Sequence, residues 1–180
     1  MAKPKLRLED LAARHPGLTQ AIASVFYEAA KVCLDRHHTS PVDLQIDDNG
    51  TLLEVTAQWD AADERTKGAW ANEIDTTETG AYGVVLAAVE VSRGLVAVRR
   101  AETRTGADYY VAPPSRNAED LEHAVRLEIS GVDAGAAVAV QERLQLKIRQ
   151  LTRGKGNLPA LAGVVGFRVK LVALHRVEMQ

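Results

Sequence analysis

The sequence predicts an α/β fold with a central mixed β-sheet flanked by helices. Apolar residues alternate with polar ones on both sides of Asn49-Gly50, which is typical of a β-hairpin. The second half follows the order helix, strand, strand, strand, helix, strand, a pattern that favours an α/β layer. We expect residues 1–73 to form an N-terminal helix and hairpin extension, and residues 74–180 to form the α/β core of the same compact unit.

The composition is that of an ordinary soluble globular protein. The chain has 180 residues, of which 46% are hydrophobic and 26% charged. Its one cysteine, Cys33, excludes an internal disulfide and a cysteine zinc cluster. The most apolar segment, residues 81–91, is too short to span a bilayer. We therefore expect a cytoplasmic protein with no membrane partner.

The charge is unevenly distributed along the chain. The net charge is −2, but residues 141–180 carry eight basic side chains against Glu142 and Glu178. That segment is therefore at +6 and the rest of the chain at −8. Such a basic end is either an electrostatic footprint for phosphate backbones or the solvated face of a helix and a strand.

In the N-terminal part, residues 1–17 predict a short arm or a single helical piece. Apolar residues at three- and four-residue intervals predict an amphipathic helix from residue 18 to residue 33. A type I′ turn at Asn49-Gly50 pairs Ile46 with Leu53 and Leu44 with Val55, which places the apolar residues on one face. Residue 60, an aspartate, is then expected to cap a helix over residues 61–72.

A second helix is predicted over residues 75–92, where Gly80, Gly83 and Ala87 form a strip of small residues. Such a strip lets another element approach the helix closely. Glu78 falls inside the apolar arc of this helix, where a carboxylate is costly unless it is paired or bound to a cation. Gly94 is expected to end the helix.

Two of the following three strands carry an acid inside an apolar run. The first strand covers residues 95–100, the second covers residues 104–111 with Asp108, and the third covers residues 125–131 with Glu128. If the last two strands are neighbours, their carboxylates face each other, which is the minimum set for a hard divalent cation. The alternative is that each acid points at water, as polar residues of half-buried strands do.

Lys147 is unexpected in the helix predicted over residues 136–151. It lies within the apolar stripe formed by residues such as Val140, Leu144 and Leu151. Either its stem is buried while its amine reaches solvent, or the amine meets the cluster of carboxylates. A final strand or strand pair is predicted over residues 162–177.

The element order and the placement of Glu78, Asp108 and Glu128 resemble the PD-(D/E)xK nuclease superfamily, over roughly residues 74–178. The resemblance implies a restriction-endonuclease-like core in which these three acids bind Mg²⁺. The segments Gly106-Ala-Asp108-Tyr-Tyr and Arg126-Leu-Glu128-Ile-Ser130-Gly are also similar to small bacterial members. One departure concerns Ser130, which stands where the superfamily has lysine. Lys147 is the candidate that would supply this amine, with Asp108, Glu128 and Lys147 as the catalytic residues.

The function implied by the resemblance is Mg²⁺-dependent hydrolysis of nucleic-acid phosphodiesters by an endonuclease in a bacterial cytoplasm, with a role in bacterial defence. DNA is the expected substrate, and a protein partner or a homodimer is expected because the small core has little room for a sequence-reading module. The alternative is a non-catalytic subunit in which the nuclease-like fold serves as a platform for protein or DNA binding.

Overall fold

A computed structural model describes residues 1–114, 121–154 and 156–178. The fold is α/β, with one mixed eight-stranded sheet and five helices in the part of the chain that is described. The strands are β1 (Lys5–Leu6), β2 (Val42–Asp48), β3 (Thr51–Ala57), β4 (Val96–Arg100), β5 (Tyr109–Ala112), β6 (Val125–Val132), β7 (Ala160–Gly166) and β8 (Leu171–Val177). The helices are α1 (Leu11–Arg14), α2 (Gln20–Asp35), α3 (Glu64–Ala69), α4 (Glu73–Arg93) and α5 (Ala137–Arg153).

The sheet runs through both parts of the chain in the order β1-β3-β2-β8-β7-β6-β5-β4. Strands β4, β5 and β6 form an antiparallel meander, and β7 lies parallel to β6 after the crossover through α5. Strand β2 of the N-terminal hairpin pairs in parallel with β8. The hairpin therefore continues the sheet of the C-terminal part.

The predicted hairpin register is confirmed. Ile46 is opposite Leu53 and Leu44 is opposite Val55. Asn49 and Gly50 have φ angles of 51° and 89°, the positive values that both central residues of a type I′ turn require. The inward-facing residues of the hairpin are largely removed from water, whereas Leu52 on the other face is 60% exposed.

Helices cover both faces of the sheet because successive residues of its central strands point to opposite sides. Leu161 and Val165 of β7 belong to the core formed with α2 and α4. Ala162 and Val164 of the same strand belong to the core formed with α5. Strand β7 is buried along its whole length as a result, which explains why it reads as a continuous apolar run.

The small-residue strip of α4 provides the expected close approach, and the neighbour is α2. A Cβ atom added to Gly80 would lie 3.1 Å from the backbone of Ala29, and one added to Gly83 would lie 3.1 Å from the carbonyl oxygen of Phe26. Gly94 ends α4 in the left-handed conformation, with φ 66°, as predicted.

Several predicted boundaries are wrong. The third helix is capped by Asp63, whose side chain accepts a hydrogen bond from the Thr66 N–H at 2.7 Å, and it does not begin at Asp60. Asp63 caps the helix because its carboxylate reaches the Thr66 N–H, one of the first-turn N–H groups that have no partner within the helix. The second strand of the meander begins at Tyr109, so Asp108 lies just before it. None of the described helices combines the length and apolarity needed to cross a membrane.

Candidate functional site

A polar cavity of about 210 Å³ opens where α4 and α5 approach the junction of β5 and β6. It brings together residues from four parts of the chain that are far apart in sequence. The lining residues are Glu78, Tyr82, Asp108, Glu128, Ile129, Ser130, Arg143 and Lys147. Every site residue predicted from the sequence is in this group.

Asp108 and Glu128 meet across the junction of β5 and β6. Tyr109 is opposite Leu127 in this antiparallel pair, and the paired residues end there. The Asp108 N–H also donates to the Leu127 carbonyl oxygen, at 2.7 Å, so Asp108 lies beside the Leu127–Glu128 peptide at the end of the ladder. The two carboxyl groups are close enough for the charge of Asp108 to raise the pKa of Glu128. Both acids line the same cavity.

Asp108 is held by donors on both of its carboxylate oxygens. The Tyr82 hydroxyl donates to Oδ1 at 2.7 Å, and the Ile129 backbone N–H donates to Oδ2 at 2.8 Å. Burial and the charge of Asp108 raise the pKa of Tyr82 to about 12, so its hydroxyl remains a donor at neutral pH. The orientation of Asp108 is therefore set by groups on both α4 and β6.

Arg100 covers this carboxylate from the end of β4. Its guanidinium lies 5.0 Å from the ring centroid of Tyr82 and 4.8 Å from that of Tyr109. It donates to the Tyr82 hydroxyl at 3.2 Å and lies 3.5 Å from Asp108 Oδ1. Phe26 of α2 stacks on Tyr82 with a centroid distance of 5.0 Å, which fixes the ring against the core.

Lys147 points into the cavity, as one of the two readings of its position predicts. Its Nζ donates to Glu128 Oε1 at 2.7 Å, and its side chain is 18% exposed. Burial raises the pKa of Glu128, and the charge of Asp108 adds to this effect. These influences outweigh the ion pair with Lys147, and the pKa of Glu128 reaches about 7. At neutral pH Glu128 is therefore about half protonated.

Glu78 lies at the mouth of the cavity, and the prediction that it is buried is wrong. Its side chain is exposed, as is that of Ile74 one turn earlier, at 72%. The residues that this turn of α4 buries are Thr76 and Thr77, and because both are polar, an arc derived from the apolar residues misplaces Glu78. In residues 1–114, 121–154 and 156–178, no three His, Cys, Asp or Glu side chains are close enough together to hold a metal ion. Metal binding by Glu78 stays a prediction.

Ser130 lies beside Glu128 on the same face of β6, as the alternation of a strand requires. It is 8% exposed and lines the cavity. Arg126 lies two residues before Glu128 on the same strand. It is 1% exposed and donates to the Thr105 carbonyl oxygen at 2.8 Å. This buried guanidinium anchors the segment that leads to Asp108.

Three residues of the site were not singled out from the sequence: Tyr82, Arg100 and Arg143. Tyr82 and Arg143 each lie four residues from a predicted site residue on the same helix, and this spacing places them on the same side. Arg100 is opposite Tyr109 in the β4–β5 register, next to Asp108. The chain matches no family model, and neither the curated proteins nor the solved structures compared with it include a match.

Proposed function

We propose that this protein is a metal-dependent nuclease-like hydrolase that cleaves nucleic-acid phosphodiesters, with DNA as the substrate. The observation that carries the proposal is the contact of Asp108, Glu128 and Lys147 in one cavity. The order α4, β4-β5-β6 meander, α5, parallel β7 supports it, because the PD-(D/E)xK superfamily has the same order of elements.

The donor set of the cavity fits Mg²⁺. Magnesium prefers oxygen ligands, keeps several waters and is commonly held by one or two carboxylates. Asp108 and Glu128 would provide these two carboxylates, and the exposed Glu78 lines the same cavity. When bound, the ion supplies positive charge to the scissile phosphate.

The side chains of the cavity have distinct tasks in this proposal. Lys147 uses one N–H on Glu128 and has two further donors for an oxygen of the phosphate, on which negative charge develops during attack by water. Glu128 would serve as a ligand of the ion, because a bound divalent cation keeps a carboxylate in its ionised form. Tyr82 and the Ile129 N–H keep Asp108 in place.

A second candidate function is a non-catalytic subunit that uses the same fold as a platform for protein or DNA binding. The observation in its favour is that Lys147 compensates Glu128 and Arg100 compensates Asp108 within the chain itself. Ser130, in the place of the superfamily lysine, agrees with this reading. A cofactor would then be unnecessary, and a protein partner would determine the activity of the complex.

The direct test incubates the purified protein with linear duplex and single-stranded DNA in the presence of Mg²⁺. Cleavage that EDTA abolishes and that Asp108→Asn lacks is the expected result. An exposed acid elsewhere provides the control, since Asp43→Asn on β2 should cleave like the wild type. Intact DNA in every reaction, including those with excess protein, would favour the platform function.

A further inference from the structure

Arg143 lies on the wall of the cavity without an internal partner. Its side chain is exposed at the rim, and its helical position is one turn before Lys147. Within the described ranges 1–114, 121–154 and 156–178, no group forms a hydrogen bond or an ion pair with its guanidinium. The other cation of the lining, Lys147, already donates to Glu128 at 2.7 Å.

The charges around the cavity leave room for an anion. Three carboxyl groups and two cations, Arg143 and Lys147, line it. Lys147 is already ion-paired with Glu128 at 2.7 Å. Among the described residues of the lining, Arg143 is therefore the cation whose donors stay available to an anion.

We propose that Arg143 is the residue that binds the phosphodiester group of the substrate at this cavity. A guanidinium offers two parallel N–H donors that match the two non-bridging oxygens of a phosphodiester. This inference rests on the proposed function for the identity of the anion. In this proposal two residues of α5 have different roles. Arg143 binds the phosphate, and Lys147, one turn later and in contact with Glu128, donates to the oxygen on which charge develops.

Arg149 provides a matched control on the same helix. It is exposed, and six residues of helix place it roughly 120° around the axis from Arg143, away from the cavity. Both Arg143→Gln and Arg149→Gln remove one positive charge from α5. A general electrostatic attraction to DNA would be weakened equally by the two changes. A specific contact of Arg143 with the phosphodiester would be weakened by Arg143→Gln alone.

The test measures binding of a fluorescein-labelled DNA duplex by anisotropy in EDTA, where no cleavage occurs, over a range of salt concentrations. Arg143→Gln should weaken binding about tenfold and lower the slope of log affinity against log salt by about 1. Arg149→Gln should stay within about twofold of the wild type, and Arg143→Lys should recover part of the loss.

Equal weakening by the two glutamine variants, or absence of binding by the wild type, would overturn the assignment. Cleavage assays separate this inference from the proposed function. If the wild type binds DNA through Arg143 but does not cleave it in Mg²⁺, the proposed hydrolase function is wrong and the assignment of Arg143 as the binding residue is retained. If the wild type cleaves DNA and Arg143→Gln has an unchanged KM, the assignment of Arg143 is wrong and the proposed hydrolase function is retained.

Discussion

Glu90 and Glu128 are both partly buried carboxyl groups with a cation beside them, yet their pKa values move in opposite directions. Glu90, near the end of α4, accepts from Arg14 Nε at 2.7 Å and contacts His15 Nε2 at 3.1 Å. Burial raises its pKa, but the hydrogen bonds from His15 and Arg14 outweigh burial and leave the pKa below its ordinary value. The other ring nitrogen of His15 accepts from the Ala97 N–H at 2.9 Å, so this cluster is fully satisfied.

The second neighbour of Glu128 is an acid, Asp108, whereas the second neighbour of Glu90 is a donor, His15. Its pKa is raised to about 7 by burial and by Asp108, although Lys147 is as close to it as Arg14 is to Glu90. A satisfied cluster stabilises a fold, whereas an acid kept above its ordinary pKa in a cavity is available for proton exchange or for a cation. We infer that the first cluster is structural and the second functional.

The largest expected effect comes from removing the amine of the second cluster. Lys147→Met keeps the length of the side chain but leaves no donor for the phosphate. Cleavage should fall by about 10²–10³-fold, the range for loss of one preorganised donor. The melting temperature should change little, because the methionine packs along the same apolar stripe. A gel-based cleavage assay and a thermal melt of the same preparation test both statements.

A rescue experiment sharpens this result. Ser130 lines the same cavity on the same strand face as Glu128, so a lysine there has access to the carboxylates. Ser130→Lys in the Lys147→Met background should restore part of the cleavage if the amine, and not the helix position, is what the reaction needs. Full activity of Lys147→Met alone would remove Lys147 from the mechanism.

A mutation in the first cluster, formed by Glu90, Arg14 and His15, should lower the stability of the protein and leave its activity unchanged. His15→Ala deletes a fully buried ring and leaves the Ala97 N–H without its acceptor. The free energy of unfolding should fall by about 2–4 kcal/mol, from the lost packing and the unsatisfied donor together. Urea unfolding measures the loss. Cleavage per folded molecule should match the wild type, and a specific loss of activity would contradict the division into two clusters.

The pH dependence of stability should differ between the wild type and Glu128→Gln. The pKa of Glu128 is about 7 in the folded state against 4.5 ordinarily, so between these values the native protein holds a proton that the unfolded chain has released. This contribution to stability is fully present below about pH 4.5 and is lost as the pH rises through 7.

From pH 5 to pH 8, the wild type should therefore lose about 1–2 kcal/mol relative to Glu128→Gln, after allowance for solvent screening of this carboxyl group. Urea unfolding of both proteins at the two pH values provides the comparison. Parallel pH profiles would show that Glu128 titrates in its ordinary range and that the two clusters do not differ electrostatically.

The smallest expected effect is that of Tyr82→Phe. The ring remains stacked on Phe26, while the hydroxyl loses its 2.7 Å hydrogen bond to Asp108 and the longer one that it accepts from Arg100. One such hydrogen bond is worth about 1 kcal/mol, so the affinity for Mg²⁺ should fall about fivefold with little change in melting temperature. An unchanged affinity would show that the Ile129 N–H and Arg100 suffice to position Asp108.

The sequence predicted those features that depend on local periodicity and turn chemistry. The hairpin register followed from the positive φ angles that Asn49-Gly50 permits, and Lys147 was recognisable because a cation interrupts an apolar stripe. Glu78 was placed incorrectly because the buried side of its turn is formed by the polar residues Thr76 and Thr77, which an apolar arc does not include. The contacts of Arg100 with Tyr82 depend on how β4 meets α4, which no local pattern encodes.

Titration of Mg²⁺ into the protein by calorimetry tests the central claim most directly. The account predicts saturable binding to the wild type and no binding to Asp108→Ala, because Asp108 is one of the two carboxylates that meet in the cavity. Asp43→Ala makes the same chemical change on the exposed part of β2 and should bind like the wild type. Absence of binding to the wild type, or equal binding by Asp108→Ala, would contradict a metal site at Asp108 and Glu128.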